Sequence, residues 1–188
     1  MKKHILPALK LTLFSIVVLA VIYPLIVWAI AQLAPNQGKG EVLTHNSHKY
    51  YTNIGQSFTD DKYFWSRPSA VNYNAAGSGG SNKGASNEEY LAMVQTRIDT
   101  FLIRNPSVQK SDIPVDLITA SGSGLDPDFS VSAAQVQVER IAVSRNIATS
   151  KLYQLIEQNT EKPLWGMFGP EKINVLKLNV ALDKMSKQ

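Results

Sequence analysis

Apolar and polar positions are distributed very unevenly along this chain. The stretch 11–33, LTLFSIVVLAVIYPLIVWAIAQL, contains no charged residue, and every acidic residue lies at or beyond Glu41. A helix needs about 20 predominantly apolar residues to cross the hydrocarbon core of a bilayer. Pro24 is compatible with such a helix, because neighbouring groups in membrane proteins compensate for its missing amide hydrogen. The pattern therefore predicts a single N-terminal transmembrane helix.

A cleaved signal peptide is the alternative interpretation of this N-terminus. Three lysines precede the apolar stretch, and Ala29-Ile30-Ala31 resembles a cleavage site. The apolar region of a signal peptide, however, runs about 7–15 residues, which is shorter than 11–33. An uncleaved anchor is therefore the favoured interpretation.

The lysines also predict the orientation of the anchor. Lys2, Lys3 and Lys10 lie before the helix, and only Lys39 and Lys49 follow it closely. Cytoplasmic flanks of membrane helices carry the excess of basic residues. We therefore expect a single-pass protein of the cell inner membrane with its N-terminus in the cytoplasm. The predicted segments are a cytoplasmic basic flank (1–10), the transmembrane helix (11–33), a linker (34–40) and a periplasmic or extracellular domain (41–188).

The pattern beyond the linker predicts a mixture of strands and helices. Strands are expected at Glu41–Tyr51, Val115–Thr119 and Ile173–Leu178. The spacing of Leu91, Val94, Ile98 and Leu102 predicts a helix, capped at Ser86 with Glu89 and ended by Pro106. Further helices are expected from Ser130 or Ser132, from a cap at Thr149, and over Asn179–Met185. Because these elements do not alternate strictly, they predict one compact α+β domain.

Charge and cysteine content narrow the function of this domain. Of the 19 basic residues, three flank the anchor, which leaves 16 against 15 acidic residues. A nearly neutral domain is not typical of proteins that bind nucleic-acid phosphates. The chain has no cysteine, which excludes disulfides, thiolate zinc sites and cysteine nucleophiles.

No constellation of catalytic or metal-binding residues is predicted. His45 and His48 lie close together but have no third ligand nearby. Asp126-Pro127-Asp128 is better explained as a turn before a helix than as a cation site. The segment 77–82 is rich in glycine and serine, but it lacks the G-K-[ST] order of a phosphate-binding loop.

A helix-turn-helix is the alternative functional hypothesis. Residues 133–158 form two amphipathic segments joined by a short turn, which is typical of DNA-binding regulators. The candidate recognition helix has only Lys151 against Glu157, however, and the predicted orientation places it away from DNA. A membrane-anchored regulator is therefore the less favoured hypothesis.

Six blocks of the domain resemble one protein family. They are, in chain order, Gly55-Gln56-x-Phe58; Tyr63-Phe64-x-x-Arg67-Pro68-Ser69; Ser78-Gly-Gly-Ser-Asn82; Ser121-Gly-Ser-Gly-Leu-Asp-Pro127; Ala133-Ala134-x-x-Gln137-x-x-Arg140-Ile-Ala-x-x-Arg145; and Asn174-Val-Leu-x-Leu-Asn179-x-Ala-Leu-Asp183. With the N-terminal anchor, this order resembles the C subunit of the bacterial Kdp potassium-transporting ATPase.

The resemblance implies a non-catalytic accessory subunit of an ATP-driven potassium uptake complex. Its implied partners are a catalytic P-type ATPase subunit and a potassium-channel-like subunit, with no nucleic acid. Its implied roles are assembly of the complex and an increase in the ATP affinity of the catalytic subunit. No firmly bound cofactor is expected, and ATP is expected only through the complex. The resemblance makes Gln137 or Gln56 the candidate nucleotide contact. For Gln137 the favoured interpretation is a helix residue that bonds nearby backbone, because the predicted orientation places the domain away from cytoplasmic ATP.

Two loops are the expected partner interface. Aromatic and arginine side chains are typical of interface cores, and the segment 54–69 is rich in them. The alternative is that these rings pack in the core of the domain itself. The predicted interface residues are Phe58, Tyr63, Phe64, Arg67, Ser78, Gly79, Gly80, Ser81 and Asn82.

Overall fold

The computed structural model describes residues 2–185 and divides into two units, Met1–Val42 and Leu43–Gln188. The first unit is helical throughout its apolar part: α1 spans Lys2–Ile16, a π-helical segment spans Val17–Ile22, and α2 spans Tyr23–Ala31. Among the described residues, Lys3–Ala31 is the one helix that is long and apolar enough to cross a membrane, with a mean hydropathy of 2.7. The predicted N-terminal apolar helix is therefore present, and it begins earlier than residue 11.

The π-helical segment lies immediately before Pro24. A proline inside an α-helix lacks the amide hydrogen, and its ring collides with the carbonyl group four residues earlier. Here the amide of Tyr23 donates to the carbonyl of Val18, five positions back, so the preceding turn is widened. The wider turn accommodates the proline at the start of α2 without ending the helix.

The second unit begins with a hairpin where one strand was predicted. Strand β1 spans Val42–His45 and pairs with β2, His48–Tyr51. Asn46 and Ser47 connect them with φ angles of 48° and 66°. Two successive left-handed residues form the type I′ turn that suits a two-residue hairpin. The single strand predicted over Glu41–Tyr51 is therefore wrong.

Five α-helices follow in the part of the chain that the structure describes, and local capping signals place several of their ends. They are α3 (Glu88–Arg104), α4 (Val131–Gln135), α5 (Val138–Arg145), α6 (Thr149–Asn159) and α7 (Val175–Met185). The Ser130 hydroxyl accepts the amide of Ala133 at 3.1 Å, which confirms Ser130 as the cap of α4. The cap of α3 is Asn87 rather than Ser86, and Thr149 is the first residue of α6 rather than its cap.

One predicted strand is helical instead, and a second is helical over its last four residues. Residues Val115–Leu117 form a 3₁₀ turn after Pro114, and the amide and hydroxyl of Thr119 both donate to the Val115 carbonyl, at 2.9 and 2.8 Å. The strand predicted over Ile173–Leu178 ends at Asn174. There the side-chain oxygen of Asn174 accepts the amide of Lys177 at 3.0 Å and starts α7.

A short antiparallel sheet completes the domain. Strands β3 (Asp128–Phe129), β4 (Thr160–Glu161) and β5 (Lys172–Asn174) lie in the order β3-β5-β4. Phe129 is opposite Ile173 in one pair, and Thr160 is opposite Ile173 in the other. The α4–α7 helices pack with this sheet around a core that includes Ile141, Leu152, Ile173, Leu178 and Leu182, each fully buried. The domain is thus a mixed helix and sheet fold, as predicted.

We expect Leu152→Ala to lower the free energy of unfolding by about 2–5 kcal/mol, because it leaves a cavity in this core. Leu91→Ala is the matched control, since Leu91 also lies on a helix but is 50% exposed. Its cost should be about 1 kcal/mol or less. Urea unfolding of the full chain in detergent micelles measures both. Equal losses for the two variants would contradict this placement of the core.

Candidate functional site

The segment 54–69, here called the aromatic loop, is held in place by side chains from the helices. Gln137 is fully buried between α4 and α5. Its side-chain oxygen accepts the amide of Trp65 at 2.7 Å and Nη2 of Arg140 at 2.6 Å. Its side-chain nitrogen donates to the Ala133 carbonyl at 2.9 Å. Both polar atoms of Gln137 are therefore engaged inside the domain.

Arg140 holds the same loop from α5. Its Nη1 donates to the carbonyl of Tyr63 at 3.0 Å and also to that of Asp61, and its Nε donates to Asn105 at 3.1 Å. The guanidinium lies over the Trp65 ring, 4.6 Å from its centroid. Burial lowers the pKa of Arg140 to about 10, because desolvation outweighs the attraction of nearby carboxylates. The group is still a cation at neutral pH, and each of its nitrogens has an acceptor in the domain.

Asn179 of α7 fixes the centre of the loop. Its side chain accepts the amide of Phe64 and donates to the carbonyl of Phe64, both at 2.9 Å. This paired contact copies the bonding of a neighbouring strand, and it directs the Phe64 ring into the core, where it is fully buried. Of the predicted interface residues, Phe64 therefore packs inside the domain, as the alternative interpretation of these rings expected.

A cluster around Asp183 holds the edge of the loop. Its carboxylate accepts Nη2 of Arg145 at 2.7 Å and the Tyr63 hydroxyl at 3.1 Å, and it lies 3.1 Å from Nε2 of His45. Burial alone would raise the pKa of Asp183, but the hydrogen bonds from Arg145 and Tyr63 outweigh it and lower the pKa. The cluster joins the first hairpin, the aromatic loop and α7.

A cleft of about 240 Å³ lies beside this cluster and is the cavity that contains Gln56. Phe58, Tyr63 and Asp183 also line it. The Gln56 side chain is half-buried, and its nitrogen donates to the carbonyl of Ile54 at 3.1 Å. Gln137, the alternative nucleotide contact, is fully buried and does not line this cleft. Of the two candidates, Gln56 is therefore the one that lines it.

Residues 121–126, here called the glycine turn, join the two loops of the predicted interface. The amide of Gly79 donates to the Ser123 carbonyl at 2.8 Å, from the second loop (72–84). The amide of Gly55 donates to the Leu125 carbonyl at 2.7 Å, from the aromatic loop. Arg67 donates to Asp126 at 2.6 Å and strengthens the same connection. Both loops are therefore fixed to one short turn.

Close backbone approach explains Gly124 of this turn and Gly55 of the aromatic loop. Gly124 has a φ of +68°, and a Cβ there would lie 2.8 Å from the Gly79 carbonyl oxygen and 2.8 Å from the Val71 side chain. A Cβ on Gly55 would lie 2.7 Å from the Asp126 carbonyl oxygen. The structure therefore shows a packed junction between the glycine turn and both loops.

The predicted interface residues differ in how much surface they present. Ser78, Ser81 and Asn82 are exposed, at the tip of the 72–84 loop. Gly79 and Gly80 are half-buried against the glycine turn, and Phe58, Tyr63 and Arg67 are half-buried in or beside the aromatic loop. Within the predicted interface, the exposed surface therefore consists of Ser78, Ser81, Asn82 and the outer faces of the half-buried side chains.

Sequence reasoning missed the side chains that hold the loops. Arg140, Arg145, Asn179 and Asp183 occur in the recognised blocks, but nothing local showed that they bond to residues far away in the chain. The arginines also bear on the helix-turn-helix hypothesis. Arg140 and Arg145 both lie on α5. Arg140 donates to the Tyr63 carbonyl and Arg145 to the Asp183 carboxylate, so both are directed into the domain and not towards an external phosphate.

Comparison with known proteins gives a match over nearly the whole chain. The family described as KdpC, the c chain of K⁺-transporting ATPases, matches residues 5–184. A potassium-transporting ATPase KdpC subunit of Flavobacterium johnsoniae is 54% identical over 184 residues, covering 97% of this chain and 99% of that protein. The corresponding subunit of Bacteroides fragilis is 48% identical over 187 residues (97% and 98% covered), and that of Bacillus cereus 43% over 184 residues (96% and 95%).

We expect Gly124→Ala to destabilise the domain by at least about 2 kcal/mol, because the new methyl group meets a carbonyl oxygen at a left-handed backbone position. Gly122→Ala, two positions earlier, is the matched control: a Cβ there has no neighbour within 4 Å. Its effect should stay within about 0.5 kcal/mol. Urea unfolding of the full chain measures both free energies. An unchanged free energy of unfolding for Gly124→Ala would contradict the packed junction.

We expect Arg140→Lys to cost about 2–4 kcal/mol of unfolding free energy. A single ammonium group cannot reach the separate acceptors that the guanidinium satisfies, so buried carbonyl groups lose their partners. Arg104→Lys is the control, because Arg104 is exposed and pairs with Asp61 at the surface. Exposed pairs contribute about 0–1 kcal/mol. The same unfolding measurement applies, and similar values for the two variants would refute the role given to Arg140.

Proposed function

The chain belongs to the KdpC family, the c chain of K⁺-transporting ATPases, and on this premise we propose that its C-terminal domain acts outside the cytoplasm as a docking element of the pump. As a KdpC subunit the chain is an accessory, non-catalytic member of the Kdp complex. The match gives no support to the DNA-binding hypothesis. The observation that carries the docking proposal is that buried polar side chains hold the two loops in fixed positions. Loops held in this way can bind a partner without first becoming ordered.

The proposed orientation follows from charge on the two sides of the apolar helix. Lys2, Lys3 and Lys10 precede its apolar stretch 11–33, and only Lys39 and Lys49 follow it closely. This distribution favours a cytoplasmic N-terminus and a domain on the opposite side of the inner membrane. The helix of residues 3–31 supports the proposal by its length and composition.

We propose the potassium-channel-like subunit as the partner of the two loops, with the catalytic P-type subunit as the second member that this chain helps to assemble. The 72–84 loop presents exposed serine and asparagine side chains, and the aromatic loop presents the outer faces of Phe58 and Tyr63. Because both loops are already fixed to the glycine turn and the helices, little conformational entropy is lost when they bind. This pre-organisation supports a role in assembly.

An increase in ATP affinity would then be an indirect effect. Direct contact with Gln137 would require breaking its hydrogen bonds to Trp65, Arg140 and Ala133. Gln56 is more accessible, in the 240 Å³ cleft, and its contact with nucleotide stays a prediction. A domain outside the cytoplasm affects cytoplasmic ATP only through a coupling free energy between distant sites. The N-terminal helix is the proposed path of that coupling.

Labelling of a single cysteine tests the orientation, since the chain has none of its own. Ser81→Cys is nearly isosteric and lies at the exposed tip of the 72–84 loop. We expect a membrane-impermeant maleimide to label it on intact spheroplasts that contain the full chain. Lys3→Cys is the control on the opposite side of the helix and should be labelled only after lysis.

The reverse pattern would overturn the proposed orientation and place the domain beside cytoplasmic ATP. Protection of position 81 in the assembled complex, combined with labelling when the chain is expressed alone, would identify the loop tip as a partner contact. Labelling at equal rates in both states would argue against docking through this loop.

A further inference from the structure

The connection between β4 and β5 carries an exposed apolar tip, residues 163–170, with the sequence PLWGMFGP. Its large side chains face solvent: Trp165 is 80% exposed, Met167 75%, Leu164 62% and Phe168 59%. Single exposed apolar residues are ordinary, but a contiguous group marks a surface that binds something. The 163–170 tip lies outside the two loops described above, and the proposed function does not use it.

The tip has a defined shape. Leu164 and Phe168 exchange two backbone hydrogen bonds of 3.1 Å each, as in a short antiparallel ladder. Trp165 and Gly166 turn the chain with φ angles of 54° and 74°. The rings of Trp165 and Phe168 meet edge to face, with centroids 6.0 Å apart. The apolar side chains are therefore presented on a pre-formed hairpin.

The backbone of the tip satisfies much of its own hydrogen bonding. The amide of Gly166 donates to the Pro163 carbonyl at 2.9 Å, and that of Met167 to the Leu164 carbonyl at 3.2 Å. Pro163 and Pro170, at the two ends, have no amide hydrogen to satisfy. The hydrocarbon core of a bilayer offers no hydrogen-bond partners, so backbone groups that approach it from the interfacial layer must be satisfied internally. A protein groove, in contrast, commonly supplies hydrogen bonds to the chain it binds.

The distribution of charge around the tip also favours contact with lipid. Residues 163–170 include no charged side chain, and the flanking pairs Glu161-Lys162 and Glu171-Lys172 each combine one acid and one base. Lys172 is held at 2.5 Å by Asp128. Insertion would thus depend on apolar area and not on attraction to anionic lipids. Tryptophan is the side chain that prefers the boundary between lipid and water.

We propose that the 163–170 tip inserts into the interfacial layer of the bilayer that the N-terminal helix spans. The proposal rests on the proposed anchoring of the chain. Residues 32–42 connect the end of α2 to the second unit, and so short a linker reaches at most about 40 Å when extended. The tether keeps the bilayer at a high local concentration around the domain, so a small apolar tip suffices for contact. The domain then has a second point of attachment to the membrane.

The test uses the full chain, one copy per lipid nanodisc, with an environment-sensitive fluorophore on Met167→Cys. This site keeps Trp165 and Phe168 intact. We expect a blue-shifted emission and several-fold stronger quenching by nitroxide-labelled lipids than at Val143→Cys, an 83% exposed control on α5. Adding Trp165→Ser and Phe168→Ser to the labelled variant should abolish this difference. Both residues are exposed, so an unchanged unfolding curve is expected to show an intact fold.

A label on Leu13→Cys, within α1, separates the two proposals. Strong lipid quenching at position 13 without quenching at position 167 would overturn the tip proposal and leave the anchoring intact. Absence of quenching at both positions would overturn the anchoring, and the tip proposal with it. The same label is then measured in the assembled complex. Shielding of position 167 from both lipid-borne and water-soluble quenchers there would assign the tip to a groove of a partner subunit, against lipid insertion.

Discussion

The domain depends on a buried pair, Gln137 and Arg140, whose hydrogen bonds end on the backbone of a loop. A buried guanidinium is costly unless each donor finds an acceptor. In this protein the acceptors are carbonyl groups of the aromatic loop and side chains of Asn105 and Gln137. Among the described residues, no strand pairs with this loop, so several of its amides and carbonyls bond to these side chains instead. The helices and the loop thus stabilise each other.

This mutual dependence explains how long segments without regular structure keep a fixed shape. Asn179 substitutes for a neighbouring strand at Phe64, and the glycine turn substitutes for one at Gly55 and Gly79. Each contact replaces a hydrogen bond to water with one inside the domain, for a net gain of about 1 kcal/mol. The larger effect is the penalty for any conformation that leaves the buried partners unpaired. Specific hydrogen bonds, and not regular secondary structure, therefore fix both loops.

The sequence predicted the parts of this structure that depend on local signals. The apolar helix, α3 and the cap at Ser130 follow from patterns within a few residues. The hairpin at Asn46-Ser47 was missed because this pair is a less familiar turn sequence than Asn-Gly. Residues 175–178 were predicted as a strand because a short apolar run cannot be told from a buried helix by periodicity alone. Only the capping contact of Asn174 distinguishes them.

The candidate site was predictable only in outline. The blocks that carry the family resemblance located the loops and named Gln137, but the contacts that decide its role join distant positions. Gln137 and Trp65 are 72 positions apart, and Asn179 and Phe64 are 115 apart. No local pattern encodes such pairings.

The π-helical turn before Pro24 affects residues well beyond it in the first unit. Each residue turns an α-helix by about 100°, and a wider turn changes the phase of everything beyond it. The side chains of α2 are consequently rotated about the helix axis from the positions that an uninterrupted α-helix would give them, so a neighbour packed along the whole helix would meet a different set of side chains beyond the π-helical segment.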